Sequence, residues 1–156
     1  MFSIWKGSVG GNATCLLNVP PNRHGLLAVA YVEVLARHGD KVADFRSRRI
    51  DASRVDDNDD VTLCFVAPRS VSAIVLEEDI AQGQRIDEAV VTSCVEGAGE
   101  REIARVHCVG YRRIVTLEKP VTATRIRVTV TASRQGFYLA DVYAVRACVS
   151  ARRVRR

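Results

Sequence analysis

Aromatic residues make up only 6% of the 156-residue chain, and no two of its cysteines have the Cys-x-x-Cys spacing. The first shortage leaves the rings segregated from the terminal arginines, whereas a nucleic-acid surface interleaves basic groups with rings that stack on bases. The second removes the usual zinc and dithiol motifs. The cysteines Cys15, Cys64, Cys94, Cys108 and Cys148 are odd in number and widely scattered, and most sit in apolar strand-like runs, where a free thiol reads as a small buried hydrophobe. His24, His38 and His107 have no paired ligand spacing, and Asp56-Asp57-Asn58-Asp59-Asp60 lacks the glycine and distal glutamate of a calcium loop. No metal and no cofactor are expected. No run approaches the ~18 apolar residues of a membrane span, and the charged-then-apolar pattern of an export leader is missing.

What the chain does have is enough apolar material, 47%, to bury one ordinary core. Its net charge of +5 is misleading, because Arg152, Arg153, Arg155 and Arg156 supply four of the charges. The body is nearly neutral, and residues 149–156 read as a disordered basic tail.

Two styles of patterning meet in the sequence. Cys15, Leu16, Leu17 and Val19 form an apolar run over residues 12–19, the habit of a parallel strand covered on both faces. Pro20-Pro21 ends it, and Asn22, His24 and Gly25 supply turn chemistry. From Leu27 to Phe45 the apolar positions Leu27, Tyr31, Val34, Leu35, Val42 and Phe45 recur at helical spacing. Phe2, Ile4 and Trp5 suggest a short helix closed by Gly7 or Gly10. Residues 46–60 turn abruptly charged and are read as a linker. Beyond it, seven β-rich segments are expected: 61–66, 73–76, 86–95, 103–108, 112–117, 125–131 and 139–146. Ile126-Arg127-Val128-Thr129-Val130-Thr131 alternates most clearly. The fold class is therefore mainly β: an antiparallel β-sandwich over 61–148 preceded by one β-loop-α unit over 1–45.

Residues 8–27, "SVGGNATCLLNVPPNRHGLL", resemble the last barrel strand and loop of the α-L-fucosidases of glycoside hydrolase family 29. The segments "VLEEDIAQGQRI" (75–86), "IARVHCVGYRRIVTL" (103–117) and "TRIRVTVTASR" (124–134) resemble the galactose-binding-like C-terminal sandwich, a jelly roll, of the same enzymes. The two groups occur in the family's order and cover about residues 1–147. The resemblance implies a C-terminal remnant: a (β/α)8 barrel takes ~250 residues, so only its final strand and helix are expected here. It also implies a shortened sandwich, since 46–60 replaces a longer stretch.

Retaining glycosidases place two carboxyl groups about 5 to 5.5 Å apart across the bond they cleave. In the family both come from barrel segments upstream of the final strand, so the resemblance assigns no catalytic residue and the chain is expected to be inactive alone. Glu77, Glu78 and Asp79 are read as an exposed charged turn. The loop after the barrel strand lies on the face where barrel sites are built, which makes Asn18, Asn22 and Arg23 candidate rim residues of a sugar pocket. In the sandwich, Tyr111 with Arg112 or Arg113 is the candidate for stacking on a sugar. Asn12-Ala13-Thr14 fits a glycosylation pattern, but the resemblance places it on a buried strand.

The expected role is thus structural support of a fucosidase barrel or weak binding of a fucosylated glycan. The expected partner is the missing barrel or a second copy docking through 12–19. The alternatives are a stand-alone lectin-like module and nucleic-acid binding through the arginine-rich tail. Family members are often secreted, periplasmic or lysosomal; the chain itself does not indicate a compartment.

Overall fold

The computed structural model describes residues 1–95, 97, 99–134 and 136–148. The tail, 149–156, lies outside the described residues. Two helices lead the chain, α1 (Phe2–Ser8) and α2 (Val29–Ser47). Six strands follow: β1 (Ser53–Asp57), β2 (Asp60–Glu78), β3 (Ile86–Val95), β4 (Gly99–His107), β5 (Arg113–Ser133) and β6 (Leu139–Arg146).

The strands are antiparallel in the order β1-β2-β5-β3-β4, with β6 on the other part of β2. β2 and β5 are long because each belongs to both halves of a folded sheet. Asp60–Cys64 of β2 pair with Arg125–Thr129, and Arg69–Leu76 pair with Arg113–Ala123, with a register break between. Pro68 and Pro120 fall in the interrupted stretches, where a missing N–H costs no ladder bond. Val66 at this corner is fully exposed. The halves close on one core that includes Val61, Leu63, Ile74, Leu76, Val91, Ile126, Val128 and Val142. Each such side chain contributes roughly 1.5 to 3 kcal/mol on burial.

The other face of the β2–β6 half carries the helices. Ala73, Val75 and Val145 pack with Phe45 of α2, against Phe2, Trp5, Ile114 and Tyr143. Along β2, Ile74 and Leu76 face the sandwich core while Ala73 and Val75 face the helices. The continuous apolar run 73–76 is therefore the strand buried on both faces. Ser72 is skipped in the pairing with β6, and its Oγ donates to Val145 O at 3.1 Å.

Residues 12–19 correct the expectation of a strand. Among the described residues, 14–21 make no backbone hydrogen bond, and Leu16 and Leu17 are 93% and 46% exposed. The physical reason is that a parallel strand needs neighbours, and none of the described strands runs beside this segment. Only its start is paired: Asn12 N donates to Arg112 O at 3.0 Å, next to Gly11, which bridges Arg113, and Gly10, whose O accepts from Ile114 N at 2.7 Å. Gly10 is required there, since an added Cβ would overlap the backbone carbonyl oxygen of Lys6 and crowd the Ile114 side chain.

The helix expected over 27–45 runs from Val29 to Ser47, but Phe45 is its one buried residue, and Tyr31, Val34 and Leu27 just before it are exposed. The linker reading of 46–60 is corrected too. It contains the end of α2 and edge strand β1, which joins β2 through the two-residue turn Asn58-Asp59. A short, charged edge strand looks like a linker in composition because charge is how edges avoid pairing with strangers. Of the cysteines only Cys94 is buried, and Cys108 and Cys148 are exposed, so the buried-hydrophobe reading holds for one.

Candidate functional site

The densest polar constellation lies where β2 ends. Neighbours on a strand point to opposite faces, so Glu78 shares the inward side of Ile74 and Leu76 while Glu77 faces out. Glu78 is 4% exposed, which corrects its reading as part of an exposed turn. Its Oε1 accepts from Arg85 N at 2.6 Å and Ile86 N at 3.1 Å, and its Oε2 accepts from Gly110 N at 3.0 Å. One carboxylate thus ties the loops before β3 and before β5 to the end of β2. Buried charge is tolerated here because three backbone donors replace water.

Asn12 completes the junction from the N-terminal segment. Its Oδ1 accepts from Tyr111 N at 2.9 Å, and its Nδ2 donates to Gln84 Oε1 at 2.7 Å. Gly110, at φ 59°, lies so close to Asn12 that a Cβ would overlap the amide. The Asn-Ala-Thr side chain is therefore already occupied on both atoms.

Above this junction sit the sandwich candidates. Arg112 Nη2 and Nε each approach Glu77 Oε1 at 2.7 Å, a mostly buried pair. The Arg112 guanidinium carbon lies 5.2 Å from the centroid of the Tyr111 ring, and Tyr111 is 53% exposed. Arg113 is half-buried and starts β5. An exposed ring with a fixed guanidinium and carboxylate beside it can stack on the C–H face of a sugar and meet its hydroxyls. It cannot act as a glycosidic acid/base pair, since Glu77 and Glu78 point to opposite sides of the strand.

Asn18, Asn22 and Arg23 are all exposed, and no hydrogen bond or ion pair among the described residues joins them to Tyr111, Arg112 or Arg113. Asn22 is committed to its own turn: its Oδ1 accepts from His24 N at 2.9 Å and Leu26 N at 3.1 Å. Arg23 Nε donates to His24 Nε2 at 3.3 Å. Of the run Asp56–Asp60 weighed for calcium, Asp56 pairs with Val61 in the ladder and Asp57–Asp60 form the β1–β2 turn. No group of three or more His, Cys, Asp or Glu among the described residues is placed to hold a metal ion.

Sequence reasoning missed Glu78 and Asn12. The signal for Glu78 was present: 74, 76 and 78 share a parity, so the glutamate continues an inward-facing row. Also unforeseen was Arg49, whose Nη1 and Nη2 lie 2.6 and 3.1 Å from the Asp141 oxygens, with its carbon 4.5 Å from the Tyr143 ring centroid. Burial pushes the Tyr143 phenol above its ordinary pKa.

No protein-family model matches the chain, and no curated protein does. Solved structures do. A Bacteroides thetaiotaomicron protein described as an α-L-fucosidase is similar over 92% of this chain and 33% of its own, at 27% identity and a TM-score of 0.84. A Bacteroides ovatus protein described in the same way is similar over 93% of this chain and 26% of its own, at 26% identity and a TM-score of 0.78. A Ruminococcus gnavus family 29 fucosidase solved with fucose is similar over 95% of this chain and 36% of its own, with a TM-score of 0.81; at 20% identity that likeness concerns the fold alone. The chain thus spans between 26% and 36% of the length of these neighbours. The resemblance to the C-terminal part of the family 29 α-L-fucosidases, read from the sequence, is borne out. So is a mainly antiparallel β-sandwich.

Proposed function

We propose that this chain is the non-catalytic C-terminal part of a family 29 α-L-fucosidase type of protein, in which the sandwich and helices brace a (β/α)8 barrel. The observation that carries the reading is the likeness over 92% of this chain, at a TM-score of 0.84, to a protein of which it spans 33%. A match of that breadth is wider than the sandwich alone, as a bracing unit requires. The exposed apolar positions support it: Leu16, Leu26, Val29, Tyr31 and Val32 line the segment that the resemblance gives to the barrel, and all are exposed in this chain. A barrel layer seated there would cover them.

The test is turnover of an aryl α-L-fucoside by the purified chain. None is expected, because the nucleophile and acid belong to the barrel. Hydrolysis above the uncatalysed rate that a point substitution within this chain abolishes would overturn the reading. The lectin-like alternative is favoured by one feature, the exposed Tyr111 beside the Arg112–Glu77 pair. It expects fucose to perturb the Tyr111 ring in an NMR titration, and a Tyr111→Ala variant to lose that response while staying folded.

A further inference from the structure

A second surface, away from Tyr111, has the form of a ligand site. At the end of the sandwich an open cleft of about 470 Å³ is built where three segments meet: the exit of α2, the corner of β2 and the end of β6. Its walls are fixed to one another. Arg146 N donates to Arg48 O at 3.0 Å, Arg48 Nη1 donates to Arg146 O at 3.0 Å, and Ile50 N donates to Ala144 O at 2.9 Å. Ile50, Pro68 and Ala147 give it an apolar lining.

Three guanidiniums border the cleft, and they are not equivalent. Arg49 is neutralised by Asp141. Arg69 and Arg146 have no carboxylate partner among the described residues. Arg146 lies opposite Val71 in the β2–β6 ladder, and Arg69 precedes Val71 by two residues, so both are on the same face of the sheet. Ser70 and Asp51 complete the wall, and neither side chain has a hydrogen-bond partner among the described residues.

We propose that this cleft binds an acidic saccharide, one bearing a carboxylate or a sulfate ester. Two guanidiniums that border one cleft on the same face of the sheet, neither with a carboxylate partner among the described residues, suit a planar or tetrahedral oxyanion, which the arginine fork meets with paired hydrogen bonds. The volume is that of a small-molecule site. The apolar lining meets the C–H face of a sugar ring, and the Asp51 carboxylate accepts from its hydroxyls. A nucleic acid fits less well, because it calls for a continuous basic stripe and Asp51 repels a second phosphate. The anion rests on the arginines alone; the saccharide rests on the reading of the chain as part of a glycosidase.

The test is a set of amide NMR titrations of the full chain with lactose, 3′-sialyllactose, galactose 6-sulfate, inorganic sulfate and a short DNA duplex. The acidic sugars are expected to move the Ser70 and Ala147 amides, and lactose to leave them in place. Arg69→Ala with Arg146→Ala is expected to weaken acidic-sugar binding at least about tenfold, the loss of two charge-assisted pairs. Both side chains are exposed, so the melting temperature should be unchanged and the loss assignable to binding. Equal response to lactose, or an unchanged affinity in the double variant, overturns the site. Inorganic sulfate binding as tightly as galactose 6-sulfate overturns the saccharide, and tighter binding of the duplex overturns it in favour of nucleic acid. None of these outcomes bears on fucoside turnover, so the two readings fail separately.

Discussion

Removing the Glu78 carboxylate should be among the most damaging single changes in the sandwich, although the residue is polar and sits at a strand end. Three backbone N–H groups depend on it, at 2.6, 3.1 and 3.0 Å. Hydrogen bonds to a charged group contribute about 1.5 to 3 kcal/mol each, and an orphaned buried donor costs about 1 to 3 kcal/mol. In Glu78→Gln the amide oxygen keeps Arg85 N and Ile86 N while the NH2 group meets Gly110 N–H, so one donor is lost and about 2 kcal/mol is expected. In Glu78→Leu all three are lost. Because the loops can shift and admit water, the cost should fall short of the full sum, at about 3 to 5 kcal/mol.

Urea unfolding followed by circular dichroism reads this directly. With a slope of about 2 kcal/mol per molar, the midpoint should fall by about 1 M for Glu78→Gln and about 2 M for Glu78→Leu. Glu77→Gln is the control, since among the described residues its carboxylate serves only Arg112, and it lies nearer solvent. It should cost less than either. A Glu78→Leu midpoint within about 0.2 M of the parent, at unchanged slope, would refute the account of the junction.

Leu16→Lys should leave the melting temperature within about the effect of a surface change, 0.5 kcal/mol, while light scattering reports less self-association; a loss of several degrees would mean that the segment is packed. Gly110→Ala should destabilise by about 1 to 3 kcal/mol, since φ there is positive and the methyl group meets Asn12, and should speed hydrogen exchange of the Tyr111 amide. Unaltered exchange would count against the Asn12 contact. The Thr131 hydroxyl, followed by Arg105, holds the Glu88 carboxyl below its ordinary pKa. Folding therefore gains from Glu88 above the unfolded-state pKa and loses that gain as pH falls through the lower folded value. Glu88→Gln should flatten the acid limb of a melting-temperature profile, and an acid limb identical to the parent's would dismiss the effect.

How far the sequence could be read depended on whether a residue's environment was local. Strands β3 and β6 were legible to the residue, 86–95 and 139–146, because both alternate or run apolar between clear turns. β2 and β5 were each divided in two at Pro68 and Pro120, since a proline in a bent, interrupted ladder looks the same in sequence as one in a turn. The rule that a continuous apolar run is covered on both faces was sound, but it was applied to 15–19, whose covering strands are not among those described, when 73–76 was the run that obeyed it. At the candidate site, Tyr111 and Arg112 were legible as an aromatic-basic pair at a strand start. Asn12 was not, because its partner Tyr111 lies 99 residues away in the chain; Glu78 continues a legible inward row, but its Gly110 partner, 32 residues on, is brought to it only by the fold. The Arg69–Arg146 cleft was likewise invisible, as only the ladder brings those side chains to one face.

The run Ala73-Ile74-Val75-Leu76 has a consequence for how such a chain can change over generations. The two interiors it serves differ in the room they leave: the helix side is met by Ala73 and Val75, which make space for the rings of Phe45, Phe2 and Trp5, and the sandwich side by Ile74 and Leu76. Substitution by residues of similar volume is tolerable at each position. Insertion or deletion of one residue within the run is a different matter, since it would swap the small pair and the large pair and spoil both interiors at once. The corner around Val66 to Pro68, already out of the ladder, can absorb the same change without moving either. Drift in length should therefore gather at 66–68 and be absent from 73–76, so that Ser72, the skipped residue just upstream, holds the reading frame for two cores.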